Sequence, residues 1–312
     1  MITTYYHPGY AAPIGPHIMP IRKFGLVADA LSDDPRVRLV EPKPVTEVDV
    51  LRVHNRAYVE AVRTGAPREL AESQKFPWSP QLYDSVLLTS GGCYAAARTA
   101  LQDGVAAALV SGFHHSHAGR GEGFCTFNGL VIAIDRLLAE GTIRSAAILD
   151  CDLHYGNGTA LLAAARPHMF ALSIYGNDYW NNTPYKDVTI CHHTDGDNHR
   201  SIALPNGCDG PTMMTILHDS LPLLLSHGKP GLLLYQAGAD PYFEDPYSPL
   251  RLTHDDLMER DRIVFRFAKE NAIPIAWVLA GGYTQDVRKV VKVHTNTFEA
   301  AASVYISGEP SS

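Results

Sequence analysis

Three ionisable side chains alternate in the segment LDCDLHYGNGT, which covers residues 149–159. Asp150, Asp152 and His154 occupy every second position, and alternate side chains of an extended chain lie on one face. The apolar run SAAIL precedes them and a Gly-Asn-Gly turn follows. Two carboxylates and an imidazole on one face, directly after an apolar run, indicate a metal site. The N-cap region of a helix is the alternative interpretation of the same spacing.

Polar or ionisable residues also follow three other apolar runs. His114 and His115 come after VAAALV, Asp240 follows GLLLYQ, and Tyr283 follows PIAWVLA. Ligands of open parallel sheets bind outside the carboxyl ends of the strands. We therefore expect these loops and the segment that starts at Asp150 to meet at one cleft.

The residue types in these loops suit metal-assisted hydrolysis. Asp152, His154 and Asp240 offer two carboxylate oxygens and one imidazole nitrogen, and three protein ligands with an open position are typical of catalytic zinc. Such an ion lowers the pKa of bound water towards ~7 and polarises a carbonyl group.

Side chains of the neighbouring loops could complete such a site. Imidazoles titrate near neutrality, so His114 and His115 could move protons. The hydroxyl of Tyr283 could donate a hydrogen bond to an oxyanion. Each feature also has a structural interpretation, since tandem histidines are often solvated, an Asp before Pro often lies in a turn, and a Tyr after Gly-Gly often packs. The combination of four complementary loops favours a functional site.

The composition is that of an ordinary globular protein. The chain has 312 residues, of which 46% are apolar and 19% charged, and this length suits one large domain or two smaller ones. The net charge of -7 argues against nonspecific nucleic-acid binding. Five scattered cysteines without a C-x-x-C motif argue against a disulfide framework or a zinc ribbon. The absence of a signal peptide or long apolar run predicts a cytoplasmic protein without a membrane span.

Short apolar runs alternate with helix-like segments, which indicates an α/β fold with a parallel sheet covered on both faces. The predicted strands are 2–6, 37–40, 105–110, 146–150, 169–175, 231–236 and 274–280. The predicted helices are 22–31, 55–64, 80–102, 128–140, 157–165, 211–227, 255–271 and 284–306. Residues 65–79 and 176–210 are expected to be long loops, and such loops often carry function.

Four motifs together resemble the histone deacetylase superfamily. They are DCDLHYGNGT, the tandem histidines with GFCTFN after them, QAGAD and LAGGY, which occur in the family's order. The segments HIMPIRKFGLV, SGGCYAAARTAL and RLTHDDLMERDRIVF further resemble the class IV branch and its bacterial relatives. The resemblance covers about residues 5–305. It implies the arginase/deacetylase fold, with residues 1–312 forming a single α/β domain around a central, mostly parallel sheet of eight strands flanked by helices.

The resemblance also implies roles for residues of the four loops. Asp152, His154 and Asp240 would bind the catalytic ion, for which zinc is expected and ferrous iron is also suited. The remaining residues would be catalytic: His114 and His115 as the tandem histidines, Asp150 as the partner that orients His114, Asn157 facing His115, and Tyr283 polarising the substrate carbonyl.

Substrate contacts and a second ion are implied in the same way. Gly123 and Phe124 would contact the substrate, and Tyr179 or Trp180 would replace the facing aromatic wall. A structural potassium ion would be held with the help of Asp150, Asp152 and Ser173.

Two positions depart from other branches of the family. Asn157 stands where many class I members have Asp. Lys23, or the adjacent Arg22, stands where other branches place an internal Arg.

The implied function is hydrolysis of an acyl-amide by a metal-activated water, with acyl-lysine of a peptide or protein as the first candidate substrate. An acetylpolyamine or another small acetylated amine is the alternative. A manganese ureohydrolase would need a second D-x-H-x-D cluster, which the sequence lacks. A non-enzymatic acyl-lysine binder would be expected to lose a ligand or Tyr283, and none is lost. No nucleic-acid or membrane partner is expected, and no oligomeric state is predicted.

Overall fold

The structure, a computed structural model, describes residues 1–178, 183–184 and 195–306. In this part of the chain the strands are β1 (Ile2–Tyr5), β2 (Val37–Val40), β3 (Val105–Ser111), β4 (Ala146–Asp150), β5 (Met169–Tyr175), β6 (Asn177–Asp178), β7 (Thr183–Pro184), β8 (His199–Ala203), β9 (Leu233–Ala237) and β10 (Ile275–Leu279). The two-residue strands β6 and β7 form a separate antiparallel pair.

The other eight strands form one sheet in the order β2-β1-β3-β10-β9-β4-β5-β8. Every neighbouring pair in it is parallel. All residues of β3, β4, β5, β9 and β10 are buried, which explains why their sequences are continuous apolar runs rather than alternating ones. The predicted fold class, a single α/β domain around eight strands, is confirmed, and the sheet is parallel throughout.

Helices pack against the sheet and connect its strands. In the described residues they are α1 (Lys23–Leu31), α2 (Glu47–Val50), α3 (Arg56–Thr64), α4 (Arg68–Ala71), α5 (Pro80–Asp103), α6 (Gly129–Ala139), α7 (Asn157–Ala164), α8 (Gly210–Ser220), α9 (His254–Glu270) and α10 (Val287–Tyr305). None of them is long and apolar enough to cross a membrane.

Capping residues fix where the helices next to the site begin. The Asn128 side chain accepts a hydrogen bond from the backbone N–H of Val131 and caps α6. Thr253 and Asp256 form a reciprocal capping box at the start of α9, which satisfies donors that the first turn leaves unpaired. These caps set the points at which the loops of the sheet edge give way to helix.

The predicted elements agree with the observed ones to within a few residues, with three exceptions. The strands β6, β7 and β8 lie inside the predicted loop 176–210. The sequence HRSIA of the partly exposed edge strand β8 has no apolar run because only one neighbour, β5, covers it. The short helices α2 and α4 were not predicted, and α4 lies within the predicted loop 65–79. The helix predicted for 211–227 ends at Ser220 and continues as a 3-10 helix that contains Pro222, which has no N–H for an α-helical bond.

Candidate active site

The four loops with polar residues follow strands that are neighbours in the sheet. The order β3-β10-β9-β4 places the carboxyl ends of these strands side by side. Leu279 at the end of β10 is in register with Ala237 of β9, and Asp150 of β4 is in register with Gln236. The loops therefore meet at one edge of the sheet, where parallel α/β proteins bind ligands.

Three of the loop residues form a compact buried group. Asp152, His154 and Asp240 each offer one ligand atom, and these atoms lie within 4.8 Å of one another. Nδ1 of His154 is 3.3 Å from Oδ1 of Asp152 and 3.2 Å from Oδ2 of Asp240. Two carboxylates and one imidazole at this spacing fit a single divalent ion such as zinc or ferrous iron.

Backbone N–H groups hold the carboxylates of this group in place. Gly281 donates to Oδ2 of Asp152 at 2.7 Å, and Leu153 donates to Oδ1 of Asp240 at 2.9 Å. A Cβ atom on Gly281 would lie 1.8 Å from the Asp240 carboxylate. The first glycine after LA in the LAGGY motif is therefore required by the close approach of the backbone to the two carboxylates.

The tandem histidines lie beside this group and have different partners. Nδ1 of His114 is 2.6 Å from Oδ2 of Asp150, and Nδ1 of His115 is 2.6 Å from Oδ1 of Asn157. Burial lowers the pKa of His114, but the charges of Asp150 and Asp152 outweigh it, so the pKa is raised above its usual value. Burial holds the pKa of His115 well below its usual value, and the charge of His114 acts in the same direction. One imidazole thus favours the cation and the other the neutral form.

A pocket of about 230 Å³ reaches both the candidate metal ligands, at His154, and the tandem histidines, at His115. It is lined by His115, His154, Gly123, Phe124, Lys75, Tyr247 and Tyr283. Gly123 and Phe124 both have positive φ angles, of 50° and 64°. Such a conformation is unfavourable for Phe, and here the backbone N–H of Phe124 bonds to the Gln74 carbonyl while its ring stacks on Phe76. These contacts direct the Phe124 ring into the pocket wall.

Aromatic rings form the walls of the pocket. The ring centroid of Tyr283 lies 6.4 Å from that of Phe124, 5.2 Å from that of Tyr247 and 6.3 Å from that of His154. Burial, together with the charges of Asp240 and Asp152, raises the pKa of Tyr283 well above its usual value. Its hydroxyl therefore remains protonated and able to donate a hydrogen bond.

Asp245 connects the walls formed by Tyr283 and Tyr247. The sequence analysis did not identify this residue. Its buried carboxylate accepts hydrogen bonds from the backbone N–H groups of Tyr283, at 2.7 Å, and Tyr247, at 3.1 Å. Burial and the charge of Asp240 raise the pKa of Asp245 to about 7. Tyr247 was missed as well, although the loop after Asp240, which contains DPYSP, is the segment in which an aromatic wall could have been sought.

Two buried cations donate hydrogen bonds to backbone carbonyls next to the site. Lys23 is completely buried and donates to the carbonyl of Ala280, whereas Arg22 is exposed, so Lys23 is the residue that faces the interior. Burial lowers the pKa of Lys23 to about 8, and the charge of Asp240 opposes this shift.

Arg260, which the sequence analysis did not identify, is the second cation. Its guanidinium donates to the carbonyls of Cys151, at 3.2 Å, and Gly238, at 2.9 Å, and pairs with Asp261. It thereby joins the backbone that carries Asp152 to the backbone that carries Asp240. The adjacent Arg and Asp within the segment MERDRIVF were the available sequence signal.

The family model of the histone deacetylase domain matches residues 17–298. The chain belongs to the histone deacetylase family. An uncharacterized protein of Picosynechococcus sp. is 32% identical over 306 residues, which span 96% of this chain and 98% of that protein. Histone deacetylase 2 of Arabidopsis thaliana is 28% identical over 274 residues, which span 85% of this chain and 68% of the relative.

Two solved structures share the fold. A homologue from Aquifex aeolicus superposes with a TM-score of 0.79 at 20% identity and covers 96% of this chain and 84% of that one. An acetylpolyamine aminohydrolase from Burkholderia pseudomallei gives a TM-score of 0.78 at 19% identity, with 97% and 99% of the two chains covered.

The roles assigned to the site residues of this histone deacetylase family member stay predictions. Tyr179 and Trp180 lie outside the described residues, and Tyr247 provides an aromatic wall inside them. The potassium ion stays a prediction as well. Ser173 and Asp150 lie in register on β5 and β4 and line one small cavity, which the basic residue Arg200 also lines.

We predict that Asn157→Asp moves the acidic limb of the kcat/KM profile to higher pH. A carboxylate beside Nδ1 of His115 would favour the imidazolium and raise the pKa of His115. If neutral His115 is the active form, activity is lost as the pH falls through this pKa, so the loss would begin at higher pH. The measurement is a pH–rate profile of both proteins at equal metal content. An unmoved limb would mean that His115 is not the titrating base.

Proposed function

We propose that the protein is a zinc-dependent deacylase that hydrolyses the amide of acyl-lysine in a peptide or protein. The observation that carries this proposal is the arrangement at the base of the pocket. There Asp152, His154 and Asp240 lie together, and His154 lines the pocket with His115 and Tyr283. Ferrous iron suits the same ligands and is the alternative ion.

The residues of the pocket could divide the reaction between them. Held by Asp152, His154 and Asp240, a divalent ion would polarise the amide carbonyl and lower the pKa of the attacking water towards ~7. His115, which favours the neutral form, would accept a proton from this water and pass it to the leaving amine nitrogen as the C–N bond breaks.

Two further groups would act on the negative charge that develops on the carbonyl oxygen. Tyr283 would donate its hydroxyl to that oxygen. His114 would stay cationic through its contact with Asp150 and would stabilise the same charge electrostatically. In this division of labour the two histidines differ because their partners differ, one being a carboxylate and the other an amide.

The walls of the pocket favour a substrate with a linear apolar stem. Phe124, Tyr247 and Tyr283 surround the approach to His154, and aromatic faces pack well against methylene groups. Gly123 places a backbone without a side chain at the same wall, where it could contact the backbone of a peptide.

An acetylated polyamine is the second candidate, because a structural neighbour is an acetylpolyamine aminohydrolase. Lys75 lines the pocket and carries an exposed side chain. Its ammonium would repel the additional amines of a polyamine, whereas a peptide carries no obligatory second cation. This charge favours acyl-lysine over the polyamine.

A substrate panel tests the proposal. The protein, loaded with zinc or ferrous iron, is assayed with acetyl-, trifluoroacetyl- and long-chain acyl-lysine peptides and with acetylated polyamines. We expect the lysine peptides to be hydrolysed with the higher kcat/KM. A higher kcat/KM for the polyamines would identify an acetylated polyamine as the substrate instead. If neither metal form hydrolyses any of these amides, the proposed deacylase function is wrong.

Phe124→Ala separates the two substrate classes. Loss of the ring should lower kcat/KM for acyl-lysine by a factor of about 2 to 13, since aromatic packing of this kind is worth ~0.5–1.5 kcal/mol. Short acetylamines without a stem should be affected little. Phe267→Ala, a partly buried aromatic on α9 that lines no part of the pocket, is the control for general destabilisation. Equal loss on both substrate classes would argue against packing on the stem.

We place this single-domain enzyme in the cytoplasm as part of the same proposal. Among the described residues Cys93, Cys125, Cys151 and Cys208 are free thiols and buried, which suits a reducing compartment. The net charge of -7 gives no support for a nucleic-acid partner.

A further inference from the structure

The side-chain amide of Asn157 lies between two groups with different hydrogen-bonding capacity. Its Oδ1 is 2.6 Å from Nδ1 of His115, and its Nδ2 is 2.8 Å from Oε2 of Glu122. Nδ2 is also 3.2 Å from Nε2 of His117, which has its shorter contact, of 2.6 Å, with the same Glu122 oxygen. An ionised carboxylate only accepts hydrogen bonds, whereas an amide both donates and accepts. Glu122 therefore requires the NH₂ group of Asn157 on its side, and the carbonyl oxygen of the amide must point to His115.

This orientation determines which nitrogen of His115 carries the proton. The amide oxygen can only accept, so Nδ1 of His115 must be the N–H, and in the neutral ring Nε2 is then the unprotonated nitrogen. An amide turned the other way would present its NH₂ group to Nδ1 and would favour the opposite tautomer. A carboxylate at position 157 would need no such orientation, because both of its oxygens accept.

Glu122 is itself held in a fixed position. Its Oε1 accepts from Nη2 of Arg120 at 3.0 Å, and its Oε2 is 2.6 Å from Nε2 of His117. Its backbone N–H and C=O both bond to the backbone of Cys125, and only 12% of its side chain is exposed. The carboxylate thus has two side-chain partners besides Asn157, and the backbone that carries it is hydrogen-bonded as well.

We propose that Glu122 is a positioning residue for the deacylation, which fixes the amide of Asn157 and through it the tautomer of His115. The expected effect on deacylation rests on the proposed function, whereas the effect on the tautomer of His115 does not. This role of Glu122 explains how this chain uses Asn at a position where a carboxylate would orient the histidine directly. Here the carboxylate of Glu122 orients Asn157, and Asn157 orients His115.

The test is a cycle of Glu122→Gln, Asn157→Asp and the double variant. With Glu122→Gln, two amides face each other and either can donate, so the orientation of Asn157 is no longer enforced. In the double variant the amide at 122 can donate to the carboxylate at 157, which accepts from Nδ1 of His115 again. We expect kcat to fall about 10–100-fold in Glu122→Gln, as when other outer-shell partners of a metal site are removed. The double variant should recover most of that loss.

The tautomer is read directly from ¹⁵N NMR of the histidine rings in the zinc-loaded protein, with the His115 signals assigned through His115→Ala. The wild type and the double variant should show the Nδ1–H tautomer, and Glu122→Gln a mixture. Glu60→Gln, which breaks an exposed ion pair with Arg63 on α3, is the matched control and should change neither kcat nor the tautomer.

The rate and the tautomer together distinguish failure of the role of Glu122 from failure of the proposed deacylase function. An unchanged His115 tautomer in Glu122→Gln, or no recovery in the double variant, would overturn the role of Glu122. The expected change in tautomer in a protein that hydrolyses no acyl-amide would uphold the network and refute the deacylase.

Discussion

Replacing Asp240 with alanine is expected to remove both the bound metal and the hydrolytic activity. The substitution leaves Asp152 and His154, and two protein ligands hold a catalytic divalent ion far more weakly than three. It also removes the acceptor of the Leu153 backbone N–H, which helps to fix the loop. Turnover should fall to the uncatalysed background, and metal content should fall well below one ion per chain.

Metal analysis after dialysis, together with the rate on the best substrate of the panel, checks this result. Chelation of the wild type should abolish turnover and added zinc should restore it, whereas added zinc should not restore Asp240→Ala. Asp135→Ala is the control, because it removes a carboxylate that pairs with Arg166 outside the pocket. Full metal occupancy with normal turnover in Asp240→Ala would overturn the ligand assignment.

Tyr283→Phe should lower kcat about 10²–10³-fold while KM changes little. The hydroxyl is proposed to act on charge that appears only in the transition state, and loss of one such donor typically costs this much. The ring centroid of Tyr283 lies 6.3 Å from that of His154, at the end of the pocket where the metal is proposed to bind.

Tyr247→Phe is the matched comparison, since it removes a hydroxyl from the neighbouring wall. Burial and the charge of Asp245 raise the pKa of Tyr247, and Tyr247 is proposed to contact the substrate stem through its ring, which phenylalanine keeps. We expect its kcat to stay close to that of the wild type. A rise in KM with unchanged kcat in Tyr283→Phe would assign that hydroxyl to substrate binding instead.

The strand ends and their ionisable residues could be predicted because they depend on local patterns. Continuous apolar runs identify buried parallel strands, and parallel strands bring their carboxyl ends to one edge. These two facts predicted that Asp152 and His154 would meet the loop of Asp240 at one edge of the sheet. Family motifs added the single domain and the number of strands, and the sheet has the expected eight.

The residues that hold the site in place could not be predicted in this way. Glu122 and Arg260 act through groups far from them in sequence, and Asp245 holds the backbone of the distant Tyr283 as well as that of its neighbour Tyr247. Such contacts depend on the path of each loop. Arg260 bonds to carbonyls 109 and 22 residues away. The strand β8 was missed because an edge strand with one neighbour needs no apolar run.

The order of the strands also affects how the chain folds as it is synthesised. β1, β2 and β3 form one end of the sheet and β4, β5 and β8 form the other, and the two are joined only when β9 and β10 fill the gap between β3 and β4. A nascent chain that ends before Leu233 therefore exposes two apolar strand edges with no partner for either. Unpaired apolar edges promote aggregation. Interrupted translation should consequently yield insoluble fragments that depend on chaperones, and never a partly active enzyme.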